Sequence, residues 1–81
     1  MHLGDKWMNI FYSNNTLFIN FNENVNDLTV SKLKSRVFNI LNDYDIDNIV
    51  LNIISDNKNN ILIDEFIKEY HRRYHGNITL K

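Results

Sequence analysis

The sequence predicts a small α/β domain: a mixed four-stranded sheet, its elements in the order β-β-α-β-α-β, with the helices mainly on one face. Three observations predict it. Ile46–Ser55 holds a dense aliphatic run from Ile49 to Ile54, interrupted only by Asn52 and rich in β-branched residues. Too short for an independent helix, the run reads as a central strand buried on both faces. Two other segments, Val30–Tyr44 and Ile63–Tyr74, carry apolar residues at helical spacing. Ahead of them, Thr16–Phe21 alternates with period two, the pattern of a half-buried strand.

Taken in order, Trp7–Tyr12 is aromatic and β-branched enough for a first strand, and Ser13-Asn14-Asn15 supplies a turn because asparagine tolerates positive φ at modest cost. In the second strand, Leu17, Ile19 and Phe21 share one face while Thr16, Phe18 and Asn20 share the other. The two strands form an antiparallel hairpin. Asn26, Asp27 and Thr29 are candidate N-caps for a helix of about four turns whose buried stripe is Val30, Leu33, Val37, Ile40, Leu41 and Tyr44. A crossover helix makes the following strand parallel to the second one. The second helix begins near Ile61 or Leu62, buries Ile63, Phe66, Ile67, Tyr70 and Tyr74, and places Asp64 and Glu65 where the helix dipole favours acids. His71, Arg72, Arg73 and His75 close it, with Gly76 as the C′ residue, and Asn77–Lys81 is a final short strand.

Both helices cover the same face, whereas Val50 and Ile54 point to the opposite one. That second face requires cover, from the N-terminal segment with Trp7 or from a partner chain, since an exposed apolar patch marks an interaction surface.

The 81 residues make a single domain, 1–81. Without cysteine there is neither a disulfide framework nor thiolate chemistry, and no apolar stretch approaches the roughly 20 residues that span a bilayer. Met1–Lys6 lacks the basic and apolar regions of a secretory signal, so a cytoplasmic location is expected, with no membrane partner. A formal net charge of −1 with interspersed signs offers no field for nucleic acid. Asparagine, isoleucine and lysine are used heavily, and alanine, glutamine, proline and cysteine are absent, as codon bias from an AT-rich genome produces.

The polar loop Asp56-Asn57-Lys58-Asn59-Asn60 follows the carboxyl end of the aliphatic strand, where ligands bind in open α/β sheets. Ser55 lies at its mouth, but no Gly-x-Ser-x-Gly turn activates it, and no glycine occurs between Gly4 and Gly76 to admit a substrate or cradle a phosphate. No catalytic residue is assigned, and no cofactor. His71 and His75 are spaced like paired metal ligands on a helix, and Asp43, Asp45 and Asp47 alternate like calcium ligands; neither set is complete, and no metal is expected. Arg72 and Arg73 beside tyrosines are the only hint of nucleic-acid contact. Asn52, if buried, requires a hydrogen-bond partner.

Leu17–Phe21, Leu28–Lys34, Asp45–Asn52 and His75–Leu80, with the spacing between them, resemble the STAS domain of bacterial anti-sigma factor antagonists over about Met8–Leu80. The family's phosphorylatable serine turn is replaced here by Asn59-Asn60-Ile61-Leu62, so the resemblance implies a pared-down module without that switch. It implies a non-enzymatic interaction or regulatory function. Docking of a protein partner, or of a second copy in a homodimer, is expected through Ser55, Asp56, Asn57, Lys58, Asn59, Asn60 and Leu62 and the uncovered sheet face. Val25-Asn26-Asp27, Ile49–Ser55 and Phe66–Tyr70 are similar to the early half of a Clp protease subunit, without its glycine pair. This second resemblance implies an oligomerising structural protein with a Clp/crotonase-like spiral core. A small-ligand-responsive regulator acting through the same loop is the remaining alternative.

Overall fold

The computed structural model describes residues 2–4, 8–53 and 61–81. The order is β1 (His2–Gly4), β2 (Met8–Ser13), β3 (Thr16–Phe21), α1 (Asp27–Asp43), β4 (Asn48–Ile53), α2 (Ile61–Arg73) and β5 (Asn77–Leu80). The mixed α/β architecture and its β-β-α-β-α-β core are those the sequence predicts, from β2 to β5. The strands form one sheet in the order β1-β2-β3-β4-β5, antiparallel across β1, β2 and β3 and parallel across β3, β4 and β5. A three-residue β1, absent from the strands the sequence predicts, extends the sheet beside β2. The middle position therefore belongs to β3, and the aliphatic β4 lies between β3 and β5.

The hairpin turn shows why asparagine stands where it does. Asn14 and Asn15 have φ of 51° and 58°, the pair of positive values that a two-residue type I′ turn requires. Such a turn matches the twist of the flanking strands and sets the register Ser13↔Thr16, Tyr12↔Leu17, Phe11↔Phe18.

Among the N-cap candidates for α1, Asn26 takes the role. Its backbone is extended, its Oδ1 accepts from the Thr29 N–H at 3.0 Å, and its own N–H donates to Thr29 Oγ1 at 3.0 Å. This is a capping box with threonine at the position glutamate usually fills. The Thr29 hydroxyl also donates to the Asn24 carbonyl at 2.6 Å, so a buried polar side chain is fully used.

One core lies between the sheet and the helices. Met8, Ile10, Leu17, Ile19, Phe21, Ile49, Leu51 and Ile53 line the sheet side; Val30, Leu33, Val37, Phe38, Ile63, Phe66 and Tyr70 descend from the helices. Phe38 stacks on Phe66 with ring centroids 5.8 Å apart, joining α1 to α2. Over this junction Glu69 receives Lys34 at 3.3 Å and Arg73 at 3.1 Å, and the Arg73 guanidinium lies 5.0 Å above the Phe38 ring.

Two expectations are corrected. β4 is not buried on both faces: Ile49, Leu51 and Ile53 are buried under the helices, but Asn48, Val50 and Asn52 are only half-buried on the other side. The parallel crossovers place both helices over one face, so the aliphatic density of β4 does not translate into two-sided cover. Gly76 is not an αL cap directly behind the helix either. α2 ends at Arg73, and Gly76, with φ of 156°, lies in the connection just before β5.

Candidate functional site

The loop expected to bind a partner, Ser55, Asp56, Asn57, Lys58, Asn59 and Asn60, lies outside the described residues, as do Trp7 and Ile54. Leu62 is described: it sits in the first turn of α2, half-buried and packed against the core, so its side chain contributes to packing. Adjacent to it, Ile61 is 69 % exposed.

The remaining part of the expected interaction surface, the sheet face away from the helices, is described and has a definite organisation. Register places its side chains in rows that run across the strands. Phe11 on β2, Phe18 on β3 and Val50 on β4 form an apolar row, continued by Thr79 on β5. On one side of it, Asn9, Asn20 and Asn52 align as a row of amides, and the Asn52 Nδ2–H donates to Asn20 Oδ1 at 3.2 Å. On the other side, Ser13, Thr16, Asn48 and Asn77 form a second polar row, in which Asn77 Nδ2–H donates to Asn48 Oδ1 at 3.4 Å. Asn52 thus has the partner its position demands, and that partner is another strand's asparagine.

Phe11 and Phe18 are 44 % and 41 % exposed, whereas their neighbours in sequence, Ile10, Leu17 and Ile19, are buried on the helix side. A shallow depression of about 310 Å³ runs over Phe11, Phe18, Asn20, Val50 and Asn52 toward Lys81. Within β2 to β5 there is no Asp, Glu, Lys, Arg or His. Lys81 is the charged residue among those that line the depression.

The alternation in β3 places Phe18 on the outer face, and the two-residue turn at Asn14-Asn15 sets Phe11 directly opposite it.

The other candidates take structural roles. Asp47 N–H donates to the Asn15 carbonyl at 2.8 Å and Asp47 O accepts from Asn77 N–H at 2.9 Å, while the Tyr12 hydroxyl is shared between Asn15 Oδ1 and the Asp45 carbonyl, each at 3.1 Å. These bonds tie the α1–β4 connection to the hairpin and to β5. His71 is helical and packs edge-on against Tyr70, with ring centroids 5.3 Å apart; His75 lies past the end of α2, so the two do not share a helix face. Among the described residues no group of three or more His, Cys, Asp or Glu is arranged to hold a metal ion. Arg73 is committed to Glu69 and Phe38. No described helix is long and apolar enough to cross a membrane.

Burial raises the pKa of the Tyr70 hydroxyl, and the nearby Asp47 carboxylate adds to the effect. The group has no hydrogen-bond partner and lies under the end of α2, on the covered side of the sheet, remote from the open face. It is a feature of the core.

No protein-family model, curated protein or solved structure matches this chain.

Proposed function

We propose that this protein is a non-enzymatic interaction module, of the kind implied by its resemblance to anti-sigma factor antagonists, that docks a protein on the open face of its sheet. One observation carries the reading: Phe11 and Phe18 stand side by side on adjacent strands, each more than two-fifths exposed, with Val50 completing the row. Exposed aromatic surface on a small sheet is costly in water, and burying each ring against a partner is worth about 1.5–3 kcal/mol. The flanking amides and hydroxyls supply the polar rim that interfaces place around such a centre.

The test is a photo-crosslinking amino acid at position 18, compared with the same group at Arg72, which is exposed on α2. Discrete crosslinked protein species from position 18, absent from position 72, are the expected result. Identical patterns from both positions would sink the assignment of the open face as the docking surface.

A further inference from the structure

We draw no further inference here: the strongest candidate, the open sheet face with its depression over Phe11, Phe18, Val50 and Lys81, belongs to the site already described, and nothing in the structure shows what covers it.

Discussion

Gly76 and the Tyr70 hydroxyl occupy adjoining space: a Cβ on Gly76 would lie 2.5 Å from the hydroxyl oxygen and 2.6 Å from the Asp47 carbonyl oxygen. With φ at 156°, residue 76 also has a backbone conformation that side chains rarely adopt. The start of β5 is thus pressed against the end of α2 and the start of β4 with no room for a methyl group. Gly76→Ala is expected to destabilise the fold by about 2 kcal/mol or more, from backbone strain and close contact together. Adding Tyr70→Phe should recover only part of the loss, because the Asp47 carbonyl remains in the way. Thermal or urea unfolding of the single and double variants checks this.

Tyr70→Phe alone is expected to be neutral or stabilising by about 1 kcal/mol at pH 7, since it removes a buried hydroxyl without a partner while keeping the ring. The pH dependence follows from the direction of the shift. Burial, and then Asp47, raise the folded-state pKa above the ordinary tyrosine value of 10.0. Above that value the unfolded chain loses the proton first, so the contribution of Tyr70 to stability is intact below it and declines as pH rises toward the folded pKa. Unfolding measured as a function of pH should show a smaller alkaline loss in Tyr70→Phe than in the wild type.

At the start of α1, Asn26→Ala is expected to cost about 1 kcal/mol through loss of the cap. Thr29→Val should cost about 1–3 kcal/mol, because it leaves the Asn24 carbonyl and the Asn26 N–H without the hydroxyl that serves both. Asn26→Ser, which keeps a capping oxygen, is expected to remain close to the wild type. Chemical denaturation of the three variants orders them.

Glu69 is the common acceptor for Lys34 on α1 and Arg73 on α2. Both pairs are partly exposed, so Glu69→Ala is expected to cost no more than about 1 kcal/mol, and the difference from wild type should shrink as salt is raised. Arg73→Ala should lose less with salt than Glu69→Ala does, because its packing over the Phe38 ring persists when the ion pair is screened.

Much of this architecture was legible in the residues. Period two in Thr16–Phe21, helical spacing in Val30–Tyr44 and Ile63–Tyr74, and the density of Ile49–Ile53 each place an element correctly, because each is a local consequence of side-chain direction. The capping asparagine was one of a short list, and selection among Asn26, Asp27 and Thr29 depended on backbone geometry. Less of the candidate site was readable. The loop after β4 lies outside the described residues and Leu62 packs against the core, while the row that joins Phe11 to Phe18 follows from strand register, which composition does not set.

By itself the sequence determined the identity and order of the elements from β2 to β5, the helix-facing set of apolar residues, and the asparagine turn that allows positive φ twice in succession. These are short-range matters of periodicity and backbone preference. Only the tertiary structure decided that β4 is covered on one face, that Asn20 is the partner of Asn52, that Gly76 is required by Tyr70 and Asp47, and that the uncharged strands align Phe11, Phe18 and Val50 into one exposed row. Each joins residues distant along the chain, and the parallel crossovers and strand register that bring them together are set by how the whole core packs.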